Sequence, residues 1–596
     1  MTTTANRPPQ WRLRDRLHDH LRLLYPDHNT AELIEAAIAA MRLDPEVATP
    51  PGRRNLWDER DAVVISYGDS IRSPNNPPLD CLADFMDRHL KGIVSAVHIL
   101  PFYPWTSDDG FAVSDYERVH PDLGDWEDIR RISQQFRVMG DCVINHCSAA
   151  HPWFTNYQAG LSPGTGYFVE ASPDDDLSAV ARPRTSPLLR PVNTKAGPRH
   201  VWCTFGHDQI DLNFANPALM IEVIRLFRHY LDRGVRAFRL DAVGYVWKTA
   251  GTSCLNLPEA HEVVRLLRTL VEHACPDAWI ITETNVPVFE NLAYFGNANE
   301  AHLIYNFSLP PLLLHALCTG NTRHLRAWMM SMPPARDGTT YFNFLASHDG
   351  IGLRPVEGLL DDAERDAMVA AMQRFGGRIS SRTVAGGKES PYEINIALWD
   401  ACRGTVAGED AWQLERFICA HAVMLALEGI PGLYIHSLLG TGNDHAAVER
   451  TGRNRSINRA TWMVDELDAC LADPDSSHAQ VFSRMSRLLH LRRQQPAFHP
   501  NATQFTLQLQ EGLFAFWRQS RDREQCVFCI HNLTPEPQQL ALADLNLMRN
   551  EPWYELISDQ PLGDVWHSVE MAPYQCLWIT NHPGGVATSL AGSTDG

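Results

Sequence analysis

The chain has 596 residues, 44% hydrophobic and 21% charged, with a formal charge of −19. That length exceeds one ordinary domain and predicts a large elaborated unit with at least one smaller companion. The acidic balance speaks against a non-specific nucleic-acid binder or a polybasic membrane anchor, and no apolar run reaches the roughly 18 residues that span a bilayer.

Residues 1–9 are polar and read as disordered. Over 10–43 two helices are expected. Leu13, Leu17, Leu21 and Leu24 recur at helical spacing, and AELIEAAIAAMRL continues after a turn at Pro26. An N-terminal helical arm is assigned to 1–58. From Asp61 β-rich runs alternate with helical stretches: AVVISYG, a helix to about Lys91, AVHILPF at 96–102, a helix at about 125–138, and DCVINH at 141–146. VRAFRL at 235–240, AWIITET at 278–284, YFNFLASH at 341–348 and IPGLYI at 430–435 follow. This alternation predicts an α/β fold, a closed (β/α)8 TIM barrel, in three pieces: 59–149, 208–349 and 413–496. The Gly-, Pro-, Ser- and Asp-rich stretch 150–207 reads as an inserted domain B after the third strand. Residues 350–412 read as a second insertion near strand 7. Alternating runs such as LFAFWRQ and CVFCIHNL predict a small all-β C-terminal domain at 497–582, before a disordered tail at 583–596.

Thirteen scattered cysteines without a CxxC pair suit free thiols in a reducing compartment. Cys147, Cys254 and Cys402 read as small hydrophobes. The first residues, MTTTANRPPQWRLRDRL, show no apolar core or cleavage site, so the expected location is cytoplasmic.

Barrel active sites form where strands end. The residues expected there are Asp108 and Asp109, Asn145 and His146, Arg239 with Asp241, Glu283, and His348 with Asp349. Three carboxylates on three strands suit glycosidic chemistry: one attacks or stabilises an oxocarbenium-like centre and another protonates the leaving oxygen. Arg239 would keep Asp241 ionised, and burial would raise Glu283 for acid work. His146 and His348 suit sugar hydroxyls. Asp141, placed at a strand's start, reads as structural, and His98 and His421 as ordinary core or surface residues. Phe102, Tyr103 and Trp105 fit either core or a sugar platform. No ligand spacing such as HExxH occurs, so no metal is expected.

DCVINH, FRLDAVGY, ITETN and LASHDG resemble, in order, the four short conserved regions of the α-amylase superfamily. LDAVGYVWKTAGTSC, FSLPPLLLHAL, ARPRTSPLL and GNDHAAVERTGRNRSINR resemble its sucrose-phosphorylase-like branch. The resemblance implies Asp241 as nucleophile, Glu283 as acid/base and Asp349 as transition-state stabiliser. Asp108, Phe111, His146, His348 and Arg455 would surround the donor glucose, and Arg184 would meet phosphate as co-substrate, with no other cofactor. Asn285 stands where sucrose phosphorylases carry histidine. That stretch, the helical arm and SPYEIN resemble the glucosylglycerate phosphorylases. A small anionic leaving group then calls for a cation, Arg354 or Arg453, with Glu357 and Glu393 as further candidates for its hydroxyls. The expected partners are a small sugar substrate and phosphate. Phosphorylases of glucosylglycerol, sucrose or sucrose 6-phosphate stay open, as do a hydrolase or transglucosidase and an inactive sugar-binding scaffold.

Overall fold

A computed structural model describes residues 13–44, 54–383, 389–545, 547–548 and 552–582. The expected disordered segments, 1–9 and 583–596, lie outside these residues. Eight parallel strands close a barrel: β1 (Val63–Ser66), β2 (Ala96–Ile99), β3 (Arg137–Cys142), β4 (Val235–Leu240), β5 (Trp279–Thr282), β6 (Leu303–Tyr305), β7 (Thr340–Phe344) and β8 (Ile430–Tyr434). Each pairs with its sequence neighbours, and β8 returns to β1. Val63, Val64, Ile65 and Ser66 are all buried, as expected of a parallel strand covered on both faces.

The strands β2 and β7 stop at Ile99 and Phe344, short of the runs read at 96–102 and 341–348, and the barrel differs more substantially in two further places. The third strand was expected at 141–146 after a helix to 138. The helix stops at Ser133, and the strand runs over Arg137–Cys142. Asp141 therefore sits at the strand's end rather than its start. The three-residue β6, LIY, was not read at all; it is too short to show a period.

Two helices, Leu13–Leu24 and Thr30–Met41, lie against the outer helices that flank β4. Leu13, Leu17, Leu21 and Leu24 are buried. Arg16 donates to Thr269 Oγ1 (2.8 Å), and His20 Nδ1 lies 2.5 Å from Glu262 Oε1, both on the helix Pro258–Ala274. After β3, Leu189–Thr194 and Gly197–Trp202 form a hairpin, and His146–Ser148 pairs with Gln209–Asp211. After β7, the strands Ile351–Gly352, Glu389–Asn395 and Arg378–Thr383 form a small sheet. The C-terminal antiparallel sheet shows its alternation directly. Phe514 and Phe516 join the main core, while Leu513 and Ala515 face a second one. Among the described residues no helix is long and apolar enough to cross a membrane.

Candidate active site

Strand register builds the site. Arg239 pairs laterally with Asp141 on β3, and Leu240 with Thr282 on β5. Alternation turns Arg239 and Asp241 to the same side. Asp241 and Glu283, each one residue past a registered pair, therefore stand about one inter-strand spacing apart, ~4.8 Å between backbones. The Glu283 N–H donates to the Leu240 carbonyl (3.1 Å), which continues the ladder to the rim.

The side chains meet in a cleft of about 830 Å³. Arg239, 2% exposed, donates to Asp141 and to Asp241 Oδ1 (2.8 Å), and its second terminal nitrogen lies 3.9 Å from Glu283 Oε2. Asp141 also accepts from His98 Nε2 (2.6 Å). Ala242 adopts the left-handed region (φ 48°), unusual for a residue with a Cβ, and its N–H donates to Glu283 Oε2 (3.0 Å).

Burial pushes Asp241 up to about 6 against the pull of Arg239. Arg239, shared with Asp141, pulls Asp241 down but does not offset desolvation. Burial also pushes Glu283 up to about 7, opposed by Arg239 and reinforced by Asp241 and Asp349. Burial works on Asp349 in the same direction, but Arg455, His348 and Arg459 hold it well below the usual carboxylate range. Arg455 reaches Asp349 (2.5 Å) and grips both oxygens of Glu393 (3.0 and 2.6 Å).

The opposite wall carries Asp108, Phe111, His146 and His348. Phe111 stacks on His348, centroids 5.0 Å apart and planes 10° off parallel. His146 Nε2 donates to the Phe111 carbonyl (2.9 Å), and Gln209 donates to Asp108 Oδ2 (3.1 Å). Burial lowers both histidines, which stay neutral and suited to hydroxyl groups. Toward the outside, Arg184 lies over Phe205 (5.7 Å to the centroid) near Tyr392, and the buried Asn285 Oδ1 has no hydrogen-bond partner among the described residues.

The catalytic domain of α-amylases matches residues 88–351 of this chain. A glucosylglycerate phosphorylase of Allomeiothermus silvanus is 41% identical, over 95% of this chain and 98% of its own. That of Escherichia coli is 38% identical, over 95% and 100%. The chain belongs to the α-amylase family. A family member from Agrobacterium vitis, a sucrose phosphorylase, is 30% identical over 73% of this chain and 88% of its own. A sucrose 6F-phosphate phosphorylase structure superposes with a TM-score of 0.70 at 24% identity, over 80% of this chain and 94% of that one.

Most candidates that the α-amylase family resemblance named line this one cleft: Asp108, Phe111, His146, Arg184, Arg239, Asp241, Glu283, Asn285, His348, Asp349, Glu393 and Arg455. Three do not. Arg453 is paired with Asp109 (2.7 Å) and Glu357 with Arg382, while Arg354 interacts with Tyr245. Glu393 lines the cleft, but both its oxygens are spent on Arg455. Sequence reasoning missed Gln209, Phe205, Tyr245, Tyr392 and the Ala242 N–H. Tyr392 lay within the quoted SPYEIN, whereas a backbone donor leaves no residue signature. Among the described residues no group of three or more His, Cys, Asp or Glu could hold a metal.

Proposed function

We propose that this protein is a retaining α-glucoside phosphorylase that transfers glucose reversibly between glucosylglycerate and phosphate. The products of phosphorolysis are α-D-glucose 1-phosphate and D-glycerate. The observation that carries the reading is a division of charge in the cleft. Arg239 is paired with three carboxylates and Arg455 with two, whereas Arg184 has no carboxylate partner among the described residues. An unneutralised guanidinium in the same cleft as an acid/base suits an anionic acceptor, because its fork can bind phosphate oxygens ahead of water. The names of the 38–41% identical relatives point the same way.

In the proposed cycle Asp241 attacks the anomeric carbon while Glu283 gives its proton to the departing glycerate oxygen. Asp241 and Glu283 follow adjacent strands in register, an arrangement compatible with nucleophile and acid/base flanking one glycosidic bond. Phosphate then attacks from the face glycerate left, and its proton passes to Glu283. Asp349 stays ionised and faces the developing positive charge. Arg354, which interacts with Tyr245 outside the cleft lining, would have to swing inward to meet the glycerate carboxylate; it is the candidate cation.

The test supplies α-glucose 1-phosphate with glycerate, glycerol, fructose or fructose 6-phosphate and measures phosphate release. Glycerate should be the fastest acceptor. A preference for fructose or glycerol would overturn the leaving-group assignment. Free glucose as the main product at millimolar phosphate would favour a hydrolase.

A further inference from the structure

We propose that a second cavity, backing the catalytic cleft, is a binding site for an uncharged pyranose or similar polyol. It encloses about 910 Å³ between the segment after β1, the loop after β2 and residues 447–461. Three of its lining residues carry a buried polar atom just behind the surface with no hydrogen-bond partner among the described residues: the Tyr67 hydroxyl, Ser70 Oγ and Arg459 Nη2. Ser70 is 2% exposed and the Arg459 side chain 8%. Such groups are costly while unmatched, so a ligand whose hydroxyls reach them after small side-chain shifts is favoured.

The rest of the lining selects the class of ligand. Trp105 is 37% exposed and offers an aromatic surface on which a sugar ring can pack. Its neighbours Phe102 and Tyr103 are fully buried, which separates the two roles the sequence left open for this run. Charge on the lining is balanced: Asp69, Asp109 and Asp122 face Arg72, Arg450 and Arg459. Asp69 is paired with Arg72 (2.6 Å), and Asp109 with Arg459. With no net charge to attract an ion, a neutral polyhydroxylated molecule fits best.

Neighbouring residues line the two spaces, Asp108 the cleft and Asp109 this cavity. Asp109 follows Asp108 directly, and both hold left-handed backbone (φ 49° and 56°). Arg459 Nε donates to the His348 carbonyl (2.9 Å), and the Tyr67 ring meets His348 edge-on (6.0 Å). A ligand on Tyr67 and Arg459 therefore touches the back of the wall formed by Asp108 and His348.

The test uses the full chain carrying Asp241→Ala, with its cleft filled by saturating α-glucose 1-phosphate. It is titrated calorimetrically with methyl β-D-glucopyranoside. One site per chain is expected, weakened at least tenfold by adding Trp105→Ala or Ser70→Val, with thermal unfolding used to confirm that each variant is folded. Should Ser70→Val unfold, Ser70→Ala removes the same hydroxyl with less crowding. Absence of binding heat, or unchanged affinity in folded variants of both positions, overturns the proposal.

Discussion

Replacing Glu283 with Gln keeps the shape of the neutral acid and removes its proton. Burial lifts this carboxyl from 4.5 to about 7, which amounts to about 3 kcal/mol against the charged form. Loss of a general acid of this kind typically costs 10²- to 10⁴-fold, or ~3–5 kcal/mol of barrier. Phosphorolysis of glucosylglycerate by Glu283→Gln should therefore fall at least a hundredfold. Release of fluoride from α-glucosyl fluoride, which departs without protonation, should stay within about tenfold in a single turnover. The wild-type pH profile should rise as Asp241 ionises near 6 and fall as Glu283 ionises near 7, and the variant should lose the falling limb. A variant within fivefold of wild type on glucosylglycerate, or one that keeps that limb, would refute the reasoning.

The same substitution should raise stability at neutral pH. A carboxyl whose folded value lies above its unfolded one binds more protons when folded, so wild-type stability falls as pH rises from 4.5 through about 7. The Glu283→Gln melting temperature should exceed wild type at pH 8 and converge with it near pH 4. Arg184→Ala should cut glucose 1-phosphate formation by about ten- to a hundredfold, the usual size of a lost charged hydrogen bond, while free glucose becomes a larger share of product. Glu393→Gln should release Arg455 from one of its two carboxylates, raise KM for α-glucose 1-phosphate and lower the melting temperature, since breaking a buried pair costs about 3–5 kcal/mol. Ala242→Gly should relieve left-handed strain of roughly 1 kcal/mol, giving a slightly higher melting temperature and a lower kcat as the N–H to Glu283 loosens.

Where the chain's patterning was strong, it was legible. VRAFRL read as a strand and is β4 to the residue, because its ends are marked by a helix terminus on one side and Asp241 on the other. The third strand slipped because RVMGDC, with its glycine and charges, looks less like a strand than the VIN that follows. Burial on both faces removes the alternation that would have fixed its limits. In the site, residues directly past strand ends were readable from position alone. Gln209 was not, since it reaches Asp108 from a two-stranded pairing far along the chain. Nor was the true state of Asp141, whose pairing with Arg239 depends on the register between β3 and β4 rather than on any neighbour in sequence.

Arg239 serves a cluster of negative groups with one positive charge, and the number of those groups changes during turnover. In the proposed cycle, esterification of Asp241 by glucose would abolish its charge, and with it one of the influences that keep Glu283 reluctant to ionise. Glu283, having just given up its proton, then finds itself the nearer claimant on the guanidinium and is steadied as a carboxylate until phosphate delivers a proton back. On that cycle the sugar itself would switch the local electrostatics and turn the same carboxyl from acid to base.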